Sequence, residues 1–186
     1  MAWAGDALQG EERAATTETG YGWRRIDFAL VLGPGGDIVS IERPPWRPRG
    51  KARDSSMFVP QRQLRTQGGL SSFLWGSSLH ALGLRRWQGQ DEVLADARSF
   101  HGFRAFQQAV FADTQDPSLR AFLRFLENWD PTRAPEIRDL APLIGGTLAF
   151  RFRYDDNFLH ETHAARLIWS RLMGSTAARL QPTEAA

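Results

Sequence analysis

Positively charged residues are concentrated in one part of the chain. Between Arg43 and Arg86 there are nine basic residues and one acid, Asp54, so this stretch has a net charge of +8. The residues before it sum to −4 and those after it to −2, although the whole chain of 186 residues carries only +2. Guanidinium groups bind phosphates and form paired hydrogen bonds with guanine. The charge pattern favours nucleic acid as the partner over an ordinary solvated charge run, which usually contains balancing acids.

Aromatic and polar residues are interleaved with these cations. Trp46 stands between Arg43 and Arg47, where an indole could stack on a base or wedge a duplex. Three prolines and a glycine in residues 42–56 leave no helical or strand pattern, so we expect an exposed basic loop there. The residues predicted here to contact nucleic acid are Arg43, Trp46, Arg47, Arg49, Lys51, Arg53, Gln61, Arg62, Arg65 and Thr66.

Other residue types that could do chemistry do not form a convincing catalytic set. His160 and His163 are three apart, whereas two imidazoles that share one zinc ion on a helix face are four apart. Asp155 and Asp156 are more typical of a turn between a strand and a helix than of a carboxylate pair. The serines at 71, 72, 77 and 78 lack the spacing of a nucleophile with its partners. We therefore expect no enzymatic activity, no metal and no cofactor.

The elements that must position the basic loop indicate an α+β fold. Two apolar runs around Gly33–Asp37 predict a β-hairpin near 25–42, and further strands are expected near 57–61 and 147–154, in a small antiparallel sheet. Pro60 places the strand at 57–61 on an edge. Four or five helices should pack on this sheet. Helical periodicity covers 70–84, with Ser71 or Ser72 as the cap and Gly83 as the stop, and also 91–112, 117–128 and 160–173.

Length and composition predict one α+β domain at 21–174. Residues 1–20 read as a weakly ordered or helical lead-in, and 175–186 as a tail. The chain has no cysteine, which excludes disulfides and thiolate metal sites and fits a cytoplasmic location. Neither a secretory leader nor a membrane span is expected.

Several motifs, in order from about residue 20 to 170, resemble one known family. They are GYGW (20–23), FALVL (28–32), MFVPQ (57–61), FLWGSS (73–78), RFLENWDP (124–131) and LAFRFRYDDNFLHETHAARLIW (148–169). The chain resembles the N-terminal region of the large subunit of the type I-C CRISPR surveillance complex, Cascade. Members of this family are longer, so the chain corresponds to the N-terminal domain or to a compact version served by a separate helical subunit.

The resemblance implies a non-catalytic interference subunit. Such a subunit inspects double-stranded DNA for the short motif beside the target, the PAM, acts with guide RNA and other complex subunits, and recruits a helicase-nuclease. Family members have Asp-Asn after FLW, where this chain has Gly76-Ser77. Ser77 or Ser78 could still reach a base or a phosphate there.

Two other functions remain open from the residues. The basic stretch could grip guide RNA or a neighbouring subunit as an assembly element. A small metal-dependent nuclease would use Asp155, Asp156, His160, Glu161 and His163.

Overall fold

A computed structural model describes residues 20–46, 55–61, 64–66, 69–87, 92–137 and 139–179. Ten strands and four helices are present in this part of the chain. The strands are β1 Tyr21–Arg25, β2 Phe28–Leu32, β3 Ile38–Glu42, β4 Ser56–Pro60, β5 Leu64–Thr66, β6 Gly69–Ser71, β7 Trp75–Ser77, β8 Leu84–Arg86, β9 Val93–Ala95 and β10 Thr147–Phe152. The helices are α1 Ser78–Leu82, α2 Ala97–Val110, α3 Pro117–Asn128 and α4 His163–Arg179. The predicted α+β class is confirmed.

Four of the strands form the central sheet, in the order β3, β2, β10, β7. The predicted hairpin is β2 and β3, which pair antiparallel. The sheet is mixed rather than purely antiparallel, because β10 lies parallel to β2 with Leu148 opposite Phe28. Parallel neighbours need a long crossover, and here it includes α1, α2 and α3.

Both faces of the central sheet are buried, which explains why FALVL is apolar at every position. Phe28, Leu30 and Leu32 belong to the main core, with aromatic rings from α2, α3 and α4. Ala29 belongs to a second core, which includes Met57 and Val59 of β4. Strands β1 and β4 pair with each other and form a separate two-stranded unit, called the ribbon below. The fold therefore has three layers: helices, central sheet and ribbon.

The predicted start of α3 is confirmed in atomic detail. Asp116 caps the helix, because its Oδ1 accepts hydrogen bonds from the backbone N–H groups of Ser118 and Leu119, both at 3.0 Å. Pro117 is the first helical residue, where its missing N–H costs nothing. The aromatic rings of this helix then reach the sheet, and the centroids of Phe122 and Phe150 are 4.7 Å apart.

The predicted helix over 70–84 is wrong for most of its length. Residues 69–71 and 75–77 are strands, and the helix is only Ser78–Leu82, so neither Ser71 nor Ser72 caps it. Leu74 has a φ of 62°, which no helix interior accepts. Pairing of β7 with β10 outweighs helical periodicity here. The predicted stop is confirmed, because Gly83 follows the helix with a φ of 66°.

Two further boundaries differ from the sequence prediction. The helix expected over 91–112 begins at Ala97, because Asp96 caps it and 93–95 form β9. The last helix begins at His163, after a 3-10 turn at Leu159–Glu161, and continues to Arg179. Within the described residues, no helix is long and apolar enough to cross a membrane.

The turn of the β2–β3 hairpin packs against α3, and Gly36 makes the closest approach. Its φ is 84°, and a Cβ built on it would lie 2.3 Å from the backbone nitrogen of Phe125. We expect Gly36→Ala to lower the free energy of unfolding by at least about 2 kcal/mol, since the left-handed backbone alone costs roughly 1–2 kcal/mol. Urea denaturation measures this. Gly35→Ala is the control, because its Cβ would meet only the exposed Asp37 side chain, at 3.3 Å. Equal stability of the two variants would contradict the prediction.

Candidate nucleic-acid interface

Both ends of the most basic segment are held by one residue, Ile26. Its backbone N–H donates to the carbonyl of Ser55 at 2.8 Å, and its carbonyl accepts from the indole Nε1 of Trp46 at 3.0 Å. Ile26 is fully buried between the ribbon and the central sheet. Residues 47–54, which join these two anchors and contain Arg47, Arg49, Lys51 and Arg53, lie outside the described residues. The structure therefore fixes the positions of the two residues that flank this cationic segment.

Trp46 is part of the first anchor. Its indole is half-buried and packs edge-on against Phe158, with ring centroids 5.6 Å apart and planes at 87°. It adds to the second core. The N–H and the ring of Trp46 are both engaged by the protein, so Trp46 positions the start of the basic segment. This geometry does not favour the stacking or wedging role predicted from the sequence.

A cleft of about 390 Å³ lies beside the first anchor. Arg43 is exposed there and has no hydrogen bond or ion pair within the described part of the chain. In contrast, Arg151 is paired with the carboxylate of Glu42 and donates from Nη1 to the carbonyl of Asp155 at 2.8 Å. The positive charge of Arg151 on β10 is thus neutralised by Glu42 of β3. Of the two arginines that line this cleft within the described residues, Arg43 is therefore the one that is open to a ligand.

Gln61 supports the ribbon. Its Nε2 donates to the carbonyl of Trp23 at 3.0 Å, and its backbone N–H donates to the carbonyl of Gly20 at 2.6 Å. The side chain lies so close to Gly22 that a Cβ there would be 2.4 Å from Nε2. Gln61 therefore holds β1 against the end of β4, and its amide is already engaged.

The two candidate serines have different environments. Ser77 is half-buried, and its Oγ is 2.9 Å from Nδ1 of the exposed His80. Ser78 is only 1% exposed; its Oγ donates to the carbonyl of Leu84 and accepts from the N–H of Gly145. Burial with both hydrogen bonds made argues against a ligand contact at Ser78, and leaves Ser77 as the accessible one of the pair.

The remaining predicted contacts are only partly located. Arg65 and Thr66 belong to β5, which pairs with β6, and only their backbone is described. Arg62 lies outside the described residues.

Three of the five residues of the alternative nuclease make contacts within their own part of the chain, while Asp156 and His163 are exposed. A carboxylate oxygen of Glu161 accepts from the N–H of Phe158 at 3.0 Å, and Oδ1 of Asp155 accepts from the N–H of Asn157 at 2.9 Å. His160 is fully buried and stacks on Phe158. Across the described ranges, no three His, Asp or Glu side chains are grouped so that they could hold a metal ion.

Exposed aromatic and basic residues of β1 are a feature that sequence reasoning missed. Trp23 is 53% exposed, and Arg24 and Arg25 next to it are exposed as well. The alternation of Tyr21, Gly22 and Trp23 is the signal that could have revealed a strand with an aromatic face, but it is too short to stand out without its partner β4.

The sequence itself matches the family model described as CRISPR-associated protein (Cas_Csd1) over residues 5–184. The chain belongs to this family. A search of curated proteins found no match.

Membership of the Csd1 family confirms the resemblance seen in the motifs. The match includes the basic segment and its two anchors, as well as FLWGSS, of which Gly76 and Ser77 lie in β7 at the edge of the central sheet. The family thus identifies the chain as a CRISPR-associated protein, a component of antiviral defence that works with other CRISPR proteins.

In this Csd1 family member, the indole hydrogen bond of Trp46 should contribute measurably to stability. Trp46→Phe keeps an aromatic ring but leaves the buried carbonyl of Ile26 without its donor. We expect a loss of about 1–2 kcal/mol in the free energy of unfolding, measured by urea denaturation. Trp87→Phe is the matched control, because Trp87 is 51% exposed. A loss at Trp46 no larger than that at Trp87 would contradict an anchoring role.

Proposed function

We propose that the chain is the DNA-contacting, PAM-inspecting large-subunit component of a type I-C Cascade complex. It acts with guide RNA and the other complex subunits in the cytoplasm, and it forms part of the surface that recruits the helicase-nuclease. The observation that carries the DNA contact is the double anchoring of the basic segment on Ile26. Family membership supplies the CRISPR context.

The two anchors suit a protein that recognises a short motif in double-stranded DNA. In RNA-guided recognition, base pairing with the guide reads most of the sequence, and the protein needs only to read a short duplex motif and hold the backbone. Arginines on a loop can reach phosphates or base edges. A segment whose two flanking residues are both bonded to one buried residue offers those arginines from a defined place. Arg43, three residues before the first anchor, adds an exposed positive charge within the described residues.

A binding role without catalysis fits what the side chains do. Of the residues considered for a nuclease, Asp155 stabilises a turn, Glu161 accepts from the N–H of Phe158, and His160 is buried. The proposed subunit needs no reacting group, since its work is differential binding of target and non-target duplexes. This part of the proposal is tested by incubating the chain with labelled duplex and Mg²⁺ or Mn²⁺, where we expect no cleavage.

The basic segment should dominate the salt dependence of DNA binding. We expect the triple variant Arg47→Ala, Arg49→Ala, Arg53→Ala to bind duplex more weakly. The slope of log K against log salt should fall by up to about 0.9 for each lost phosphate contact. Binding is measured by fluorescence anisotropy over a series of salt concentrations, with the chain alone and in the assembled complex.

A second triple variant controls for net charge. Arg98, Arg120 and Arg171 are exposed on α2, α3 and α4, and their replacement by Ala removes the same three charges from the helical layer. We expect this variant to keep most of the affinity and the salt slope. Equal losses in the two variants would mean that overall charge, and not the anchored segment, drives binding. Loss of co-purification with the complex, with normal DNA binding in whatever assembles, would instead favour the assembly role.

A further inference from the structure

Four aromatic rings form a continuous row from the main core to the surface of the ribbon. The row begins at Trp169, which is 2% exposed, and continues to Tyr21, with centroids 6.1 Å apart and planes at 88°. Tyr21 stacks on Phe58 at 5.5 Å and 30°, and Phe58 contacts Trp23 at 5.5 Å and 53°. The row ends at Trp23, whose ring is the most exposed of the four.

The row holds the indole of Trp23 in a fixed place. Trp23 and Phe58 are directly opposite each other in the antiparallel pair of β1 and β4. The Gln61 side chain donates to the carbonyl of Trp23, which ties its backbone to the far end of the ribbon. An aromatic ring that is already ordered loses little conformational entropy when a ligand stacks on it. Trp23 as a residue is nevertheless 53% exposed.

The surroundings of Trp23 are cationic. Arg25 lies two positions along β1 on the same face, about 7 Å away along the strand. Its Nε is paired with Asp27 Oδ1 at 2.7 Å, but its side chain is 78% exposed, so most of the guanidinium stays open to solvent. Arg25 is opposite Ser56, and Ser55 is the second anchor of the basic segment. Trp23 therefore lies on the same ribbon whose strand β4 follows directly after the second anchor.

Exposure alone would not distinguish Trp23 from an ordinary surface tryptophan. Trp87, which directly follows β8, is about equally exposed, at 51%, but it makes no ring contact with any residue in the described part of the chain. Trp23 differs by its preordered ring and its adjacent cations. An aromatic face beside a positively charged path is the combination with which proteins bind unpaired bases, because every base has a flat face and every nucleotide has a phosphate.

We infer that Trp23 is a base-stacking residue whose open face takes an unpaired base of the DNA next to the duplex that the basic segment contacts. This inference rests on the proposed function and adds a second kind of contact to it. The basic segment contributes charge, which is insensitive to pairing. Trp23 contributes stacking, which requires that a base be free of its partner. Together they would favour a duplex that has begun to open.

The test compares a forked DNA, which has an unpaired tail, with a fully paired duplex of the same length. Trp23→Leu keeps an apolar side chain against Phe58 but removes the flat ring. We expect its affinity for the fork to fall about 5- to 100-fold, the range for loss of one stacked base, while duplex affinity changes less than about twofold. The salt slope should stay unchanged, because no cation is lost. Trp23→Phe should recover part of the fork affinity, and Trp87→Leu is the matched control.

Photo-crosslinking of the unaltered chain tests the same contact and does not depend on whether a variant folds. A fork with 5-iodouracil in its unpaired tail, irradiated in complex with the protein, should crosslink to Trp23, as identified by mass spectrometry. Unchanged fork affinity in a folded Trp23→Leu variant, or crosslinks that never include β1, would overturn the inference. Loss of co-purification with complex subunits at unchanged fork affinity would also overturn it, by making this face a protein contact.

The inference and the proposed function fail in different ways. If the basic-segment triple variant binds duplex as the unaltered chain does, the proposed role of that segment is wrong, while a selective loss of fork binding in Trp23→Leu still supports stacking. If the triple variant loses duplex binding and Trp23→Leu behaves like Trp87→Leu, only the stacking inference is wrong. If the unaltered chain binds neither DNA, alone or in the complex, both are wrong.

Discussion

The backbone of Ile26 is the constraint on which the functional part of the structure depends. Its N–H and carbonyl are both buried, so each needs a partner, and the partners are Ser55 and Trp46 at opposite ends of the basic segment. Ile26 follows directly after β1 and precedes β2, so the same residue links the ribbon to the central sheet. Any displacement of the segment's ends would leave a buried polar group without a partner. The basic segment is in this way bonded at both ends to a residue of the second core.

The second core makes this arrangement rigid. It is small, but it holds Met57 and Val59 of the ribbon against Ala29 and Ala149 of the sheet, and alanine is the residue that allows the two layers to approach closely. Asp27, next to Ile26, strengthens the same junction, because its Oδ2 accepts from the N–H of Thr147 at 2.8 Å and its Oδ1 accepts from Arg25. The ribbon, the first residue of β10 and the anchors of the basic segment are thus joined through adjacent residues. A surface aromatic such as Trp23 gains its fixed position from this junction.

Neighbouring residues were sufficient to predict those elements that depend only on short-range interactions. The β2–β3 hairpin, the Asp116 cap with Pro117, and the stop at Gly83 each depend on a few neighbouring residues, and all three are found. Failures occur where a distant partner decides. Residues 75–77 become a strand because β10, some seventy residues later, pairs with them, and the parallel pairing of β10 with β2 is equally invisible in either segment alone. The basic segment is visible from charge counting alone, but its anchoring needs Ile26. For the same reason the sequence predicts Trp46 as a ligand contact, whereas in the structure its indole anchors the chain to Ile26. Trp23 is held by Phe58 and Gln61 of the neighbouring strand and its end, which the sequence of β1 alone does not show.

The parallel pairing of β2 with β10 also governs the order in which the chain can fold during synthesis. More than a hundred residues separate Leu32 from Thr147, and at roughly 5–20 residues per second the ribosome needs about 6 to 23 s to make them. Until β10 emerges, β2 has one edge without its strand, and the second core lacks Ala149. The ribbon is made entirely from the first third of the chain, and Ala29 can cover only part of its apolar face before a strand near residue 150 completes the cover. Non-local pairing of this kind slows folding, and it makes the N-terminal basic region dependent on late-synthesised residues for its final placement.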